Sequence, residues 1–205
     1  GKRYEAERNT WSFFRNHSWG SMPTRGGPRE HAAPAREPQK MSGLRNWVLY
    51  RMPDHGGIYI LHEDKNGKRK SEEGAILLED TQRKVTSIEH NLEYYPESPK
   101  RLKGGEFTLI DETGTGRTYE LEDLGWIYCQ GGGYFLKGYA DGLGMGVYRG
   151  DYHEEGEVWD VSHPTKVKKS DGSEEEFAHA WAENFVRIKS GNNAGLAHFE
   201  CVVMD

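Results

Sequence analysis

Apolar residues in this chain come in short runs separated by Gly, Pro, Asn and Asp, a spacing that predicts strands rather than helices. Trp47-Val48-Leu49-Tyr50 predicts a strand closed by Pro53 and Asp54, and Ile58-Tyr59-Ile60-Leu61 predicts the next. Before the returning run Ala75-Ile76-Leu77-Leu78 comes Lys65-Asn66-Gly67-Lys68, whose Asn-Gly pair tolerates the positive φ angles of a tight hairpin. Val85 to Tyr95 reads as a strand in which Val85, Ser87, Glu89 and Asn91 alternate against Thr86, Ile88, His90 and Leu92, with Pro96 and Pro99 ending it. Phe107-Thr108-Leu109-Ile110 and Thr118-Tyr119-Glu120-Leu121 flank a turn running from Asp111 to Gly116, and Trp126 to Cys129 and Tyr134 to Leu136 flank Gly131-Gly132-Gly133. Near the C-terminus, Glu183 to Ile188 and Leu196 to Val203 surround Gly191-Asn192-Asn193-Ala194-Gly195 as one more hairpin. Glu174 to Ala182 supports two readings, a short helix capped by Ser173 with acids in its first turn, or a strand with a polar lead-in. Regular short strands with turn residues between them imply an all-β protein, an antiparallel barrel or sandwich.

The first strand signal is mixed in character. With period two, Trp11, Phe13, Arg15, His17 and Trp19 share one face, and Phe14, Asn16 and Ser18 share the other. Aromatic bulk, a permanent cation and an imidazole on one face suit a pocket lining, while an edge strand with its polar groups in water satisfies the same spacing. After Gly20 the composition changes. Residues 21–43 carry Pro23, Pro28, Pro34 and Pro38 among charges and glycines, too long for a simple connection, and read as a loop or lid.

Composition narrows the classes. The 205 residues are 35% hydrophobic with mean hydropathy -0.89, yet 12% are aromatic, and large rings compensate for scarce aliphatics in building one core. The net charge of -6, with no dense Lys/Arg patch, gives no electrostatic footprint for nucleic acid. No apolar run reaches membrane-span length, and no signal peptide opens the sequence. Cys129 and Cys201 lack metal spacing and read as buried free thiols in a reducing, cytoplasmic compartment, with one disulfide as the minority reading.

Two stretches invite chemistry. Gly142, Gly144 and Gly146 alternate between Tyr139 and Tyr148, leaving one strand face bare, as in a strongly bent barrel strand. From Asp151 to Pro164 the chain is dense in carboxylates and imidazoles, including His153, Glu155, Glu157 and Asp160. That density fits a solvated acidic turn first; a general acid with a raised pKa is an alternative, and a divalent-ion site is a minority one, since the stretch lacks any strong metal signature. No nucleophile elbow or phosphate loop occurs, which disfavours covalent hydrolase chemistry.

Arg15-Asn16-His17-Ser18-Trp19-Gly20, the Lys137 to Gly150 strand, Glu157-Val158-Trp159-Asp160 and Gly195-Leu196-Ala197-His198-Phe199-Glu200 together resemble the double-lipocalin superfamily of carotenoid 1,2-hydratases and tocopherol cyclases. The resemblance implies lipocalin-like barrels, two in one chain. At 205 residues the chain is short for two, so 1–205 reads as a single lipocalin-like β domain or two incomplete barrels. It also implies cofactor-free lyase, hydratase or cyclase chemistry, in which a carboxyl protonates an isoprenoid alkene and aromatic faces steady the cation. Where the family pattern places an acid, this chain has Asn16, which cannot donate that proton. His17, Asp141, Glu157 and Glu200 are then the candidate catalytic groups. Trp11, Phe13, Asn16, Trp19, Tyr139, Tyr148 and Trp159 are the candidate substrate-binding residues. The alternative is a non-catalytic carrier that holds a hydrophobic small molecule unchanged.

Overall fold

A computed structural model describes residues 1–3, 5, 43–128, 148–154, 158–160, 162–163, 166–176 and 180–204. Eight strands close into an antiparallel barrel of lipocalin-like form, as the strand spacing predicts. In chain order they are β1 (Gly43–Arg51), β2 (Gly56–Glu63), β3 (Arg69–Leu77), β4 (Gln82–Tyr95), β5 (Ser98–Asp111) and β6 (Gly116–Tyr128). Three short strands, β7 (Trp159–Asp160), β8 (Lys166–Lys169) and β9 (Glu174–Glu176), form a separate sheet. The barrel resumes with β10 (Ala180–Ser190) and β11 (Asn193–Met204). Around it the order is β1-β11-β10-β6-β5-β4-β3-β2, so the last strand lies beside the first.

Alternation decides what faces the lumen. Along β1, Asn46, Val48 and Tyr50 are buried while Arg45, Trp47 and Leu49 are only partly covered. On β2 the matching inward set is Gly57, Tyr59 and Leu61, with Glu63 next in line. Gly57 has a steric reason: a Cβ there would stand 2.5 Å from the Tyr50 ring. Phe107 lies at the centre of the aromatic core, stacked on Tyr119 at a ring separation of 4.9 Å and tilted against Tyr59 at 5.1 Å. Burying rings of this size supplies much of the driving force that the sparse aliphatics do not.

The two ends of the barrel are built differently. At one, the floor, tight connections join β1 to β2, β3 to β4, β5 to β6 and β10 to β11. At the other, the mouth, the β2–β3 and β4–β5 turns lie, and the chain leaves after Tyr128 to return at Ala180. The Asn-Gly turn forms as its sequence predicts. Asp64 Oδ1 accepts the backbone N–H groups of Asn66 and Lys68, and Gly67 takes φ 74°.

Four local readings are changed or decided. Pro99 ends nothing, since β5 runs through it beside β4 from Ser98. In Glu174 to Ala182 the strand reading holds where the chain is described, with β9 over Glu174–Glu176 and β10 from Ala180. The alternation from Val85 is interrupted by a bulge between Val85 and Ser87, which puts Val85 on the same face as Ile88, His90 and Leu92. The last hairpin is also tighter than expected: Ser190 pairs with Asn193, so Ala194 and Gly195 belong to β11.

Candidate functional site

The wall of the barrel is incomplete at the mouth. β3 and β4 pair backbone to backbone only from Gly74 to Leu77 against Gln82 to Val85. Beyond that, side chains stand in for the ladder. Glu72 Oε2 accepts the Ile88 N–H at 2.8 Å, and the Arg69 guanidinium donates to the Ile88 carbonyl at 2.8 Å. Arg69 also holds Glu72 at 3.0 Å and Glu63 at 3.2 Å, and the other Glu63 oxygen is 3.1 Å from His90 Nε2. Glu63 and Glu72 belong to the inward faces of β2 and β3, so this network is a fastening on the lumen side.

Deeper in the upper lumen, amides and hydroxyls replace ions. Asn46 is 0% exposed, in register with Cys201 on β11 and Leu61 on β2, and neither Oδ1 nor Nδ2 has a hydrogen-bond partner. Asn184, on the far side of β11, donates through Nδ2 to the Phe199 carbonyl at 3.0 Å, and its Oδ1 is unpartnered. The buried hydroxyl of Tyr59 is unpartnered too, and its pKa is pushed up by burial, with Cys201 and Tyr94 adding to the effect. From β4, Tyr94 reaches the opposite wall, its hydroxyl 3.9 Å from Cys201 Sγ. Burial pushes the Cys201 thiol up to about 12, so it is a neutral wall group, free as the sequence suggests, and not a nucleophile.

An unpartnered buried polar group costs about 1–3 kcal/mol, so two amides and one phenol with unpartnered atoms on the inward faces are unusual for a finished core. The rim carries a further fixture. Arg101 lies 4.7 Å over the Tyr95 ring and 5.1 Å over that of Trp126, with Asp123 at 3.5 Å.

Among the described residues the floor has no such unpartnered groups. Asp111, 1% exposed, binds Arg83 and Arg117 at 3.1 Å each and accepts from Thr113 and Thr115, which holds its carboxyl far below the usual range. Tyr50 and Tyr119 hydroxyls are 3.2 Å apart, Tyr119 is 2.7 Å from His55 Nε2, and His55 Nδ1 is 2.9 Å from Asp54. With the imidazole neutral, every proton in that chain has an acceptor: Tyr50 donates to Tyr119, Tyr119 to His55, and His55 to Asp54.

Of the candidate catalytic and substrate-binding residues, Glu200, Tyr148 and Trp159 are described, and they stand on separate elements. Glu200 is 5% exposed but lies on the outward face of β11, between the inward Phe199 and Cys201, 4.0 Å from Arg45. His198 shares that outer face and bonds Glu183 at 2.9 Å, which lowers the Glu183 pKa. Tyr148 is 78% exposed and donates to Asp151. Trp159 belongs to the small sheet, half-buried, with Lys169 Nζ 5.5 Å from its ring centre. His17, Asp141, Glu157, Trp11, Phe13, Asn16, Trp19 and Tyr139 lie outside the described residues, as does Cys129. Among the described residues no cluster of three or more His, Cys, Asp or Glu has metal-binding geometry, and no helix is long and apolar enough to cross a membrane.

The sequence reading missed Asn46, Asn184 and the Glu63–Arg69–Glu72–His90 network. A signal for Asn46 exists: period two places it on the face of Leu44, Val48 and Tyr50, one amide in an apolar row. A family model described as a family of unknown function (DUF8625) matches residues 1–205. No curated protein and no solved structure matches the chain.

Proposed function

The chain belongs to that family of unknown function, and from that premise we propose that it is a lipocalin-like binder holding a small, largely apolar molecule in the upper lumen of its barrel. The observation that carries this is the Asn46 amide, wholly buried on an inward-facing row with neither polar atom partnered. A barrel whose only task is to be a stable scaffold gains nothing from such a group, since an aliphatic side chain of similar size removes the penalty. The surroundings suit a mostly apolar guest, since Tyr59, Leu61 and Phe199 belong to the apolar core inside the barrel. The interrupted β3–β4 pairing supports the same reading, because a wall fastened by side chains opens more readily than a continuous ladder.

The test is a titration of the full chain with the apolar dye N-phenyl-1-naphthylamine, read by its fluorescence. Saturable one-to-one binding is expected, weakened at least tenfold by Leu61→Arg, which drives a charge into the lumen. A linear, non-saturating signal would sink the proposal.

A second reading follows from one contact. Glu63 and His90, 3.1 Å apart within the barrel, form an acid–base pair of the kind a cofactor-free hydratase or cyclase requires. Under it an isoprenoid incubated with the protein is recovered chemically altered. Under the carrier reading it is recovered intact, and mass spectrometry of the extracted ligand separates the two.

A further inference from the structure

The side chains that fasten the β3–β4 wall do not carry balanced charge. Four ionisable groups from three strands take part: Glu63 on β2, Arg69 and Glu72 on β3, and His90 on β4. One guanidinium nitrogen of Arg69 is 3.2 Å from Glu63 Oε1, and the other is 3.0 Å from Glu72 Oε2. The remaining Glu63 oxygen meets His90 Nε2 at 3.1 Å. With His90 neutral, two carboxylates share one guanidinium, and the cluster carries one net negative charge. With His90 protonated, each carboxylate has a cation of its own and the charges cancel. Nε2 can donate to Glu63 in either form, so the geometry accommodates both.

What separates the two forms is the demand on Arg69. That residue holds the Ile88 carbonyl at 2.8 Å, in the stretch where no backbone ladder joins β3 to β4. While His90 is neutral, Glu63 and Glu72 compete for the one guanidinium and repel each other across it. An imidazolium takes over Glu63 and leaves Arg69 to Glu72 and Ile88. Glu72 in turn accepts the Ile88 N–H at 2.8 Å, so both backbone groups of Ile88 depend on the same balance.

The surrounding groups do not offset this. Asp64, on the turn after β2, is engaged by Lys70 at 3.4 Å. The phenols of Tyr59 on β2 and Tyr94 on β4 stay neutral, because burial pushes their pKa values up. On β5 the residue in register with His90 is Phe107, which has no charge. All four members of the cluster are half-buried, so protons reach them from solvent.

We infer that this stretch of wall is a pH-sensitive latch, tightened when His90 takes up a proton and released when the carboxylates do. Imidazoles change charge between about pH 5 and 8, and carboxylates lose theirs near about pH 4. The imidazolium contribution is present at low pH and lost as pH rises, and the carboxylate contribution is lost as pH falls. The latch is therefore tightest near about pH 5.5, slacker at about pH 8, and released by about pH 3.5. It needs no guest in the barrel, so its test is separate from that of binding.

The test is amide hydrogen exchange of the ligand-free full chain, followed by NMR and corrected for the intrinsic pH dependence of exchange. Protection of the Ile88 amide is expected to rise about threefold from about pH 8 to about pH 5.5, the size a partly exposed ion pair supports. The Phe107 and Leu109 amides, within the continuous β5–β6 pairing, serve as reference and should not show that rise. At about pH 3.5 the Ile88 protection should fall below both earlier values. His90→Gln keeps a donor toward Glu63 but cannot take up a proton, and Glu63→Gln removes the anion that the imidazolium faces. Once melting curves confirm that each variant folds, the rise should disappear in both. Ile88 protection that is flat or falls between about pH 8 and about pH 5.5 in the wild type would overturn the latch, with or without the variants. A rise that survives His90→Gln, or one matched at Phe107 and Leu109, would overturn it as well.

Discussion

The two ends of this barrel bury polar groups by opposite rules. At the floor, Asp111 accepts from two arginines and two threonines, and Tyr50, Tyr119, His55 and Asp54 form a chain in which each donor meets an acceptor. At the mouth, Asn46, Asn184 and Tyr59 keep buried atoms without partners, and side chains fasten a wall that backbone fastens elsewhere. The same chain, with the same strand pairing and the same alternation, makes both. Polar residues in a barrel are therefore not evidence of a site in themselves. What separates structure from site is whether the donors and acceptors balance.

That contrast is open to direct attack. The most severe change lies in the aromatic core that closes off the floor. Phe107→Ala should cost about 3–5 kcal/mol in urea denaturation, because Tyr50, Tyr59, Tyr119 and Phe199 all pack on that ring and cannot collapse together into its volume. Next comes the floor's electrostatic knot. Asp111→Asn should lower the Tm by roughly 10 °C at pH 7, since it leaves Arg83 and Arg117 without their anion. The carboxyl is held below its ordinary range, so its contribution is complete above about pH 4 and is lost as pH falls toward its lowered folded value. The gap between wild type and variant should accordingly narrow when the melts are repeated at pH 3. A gap of equal size at both pH values would mean that the carboxylate charge is not what stabilises the floor.

At the mouth the effects should be smaller and local. Arg69→Met removes two ion pairs and the bond to the Ile88 carbonyl. Hydrogen exchange at the Ile88 amide should accelerate about tenfold, with Tm falling by less than roughly 4 °C, because the opening is confined to one stretch of wall. Exchange that accelerates across all strands would show instead that the fastening is part of the global fold. The smallest change carries the opposite sign. Asn46→Leu should raise the stability of the ligand-free protein by about 1 kcal/mol, as expected when an unpaired buried amide is replaced by an apolar group of similar size. A clear loss of stability would place Asn46 with the floor residues rather than opposite them.

How much of this was legible in the sequence follows from the same division. The strands were readable because alternation and turn residues are local: Asn66-Gly67 and the Asp111 to Gly116 turn announce their hairpins in a few positions. The bulge at Val85–Ser87 was not, since it depends on how β4 fits β5 and no residue type marks it. Pro99 misled for a related reason, because proline is tolerated near the beginning of a strand. The site was the least legible. Asn46 and Asn184 belong to strands that are not neighbours, and Glu63, Arg69, Glu72 and His90 come from three more. Only closure of the barrel brings these strands into one sheet. Residues chosen for dense local chemistry, such as Tyr148 and Trp159, instead stand on an exposed segment and in the small sheet.

The pairing of β1 with β11 bears on how the protein is made. β11 fills the slot between β1 and β10, with Gly43 opposite Met204 and Arg51 opposite Leu196. While the chain emerges from the ribosome, β1 can pair with β2 but has an unfilled edge until more than a hundred further residues have been synthesised. Contacts of such long sequence separation form late and slowly. During that interval Val48 and Tyr50 lie along an open strand edge, the situation in which chains associate with one another or call on chaperones. The last strand is thus the step that commits the nascent chain to a closed barrel, and substitutions in Leu196 to Val203 should lower yield in the cell more than their effect on equilibrium stability implies.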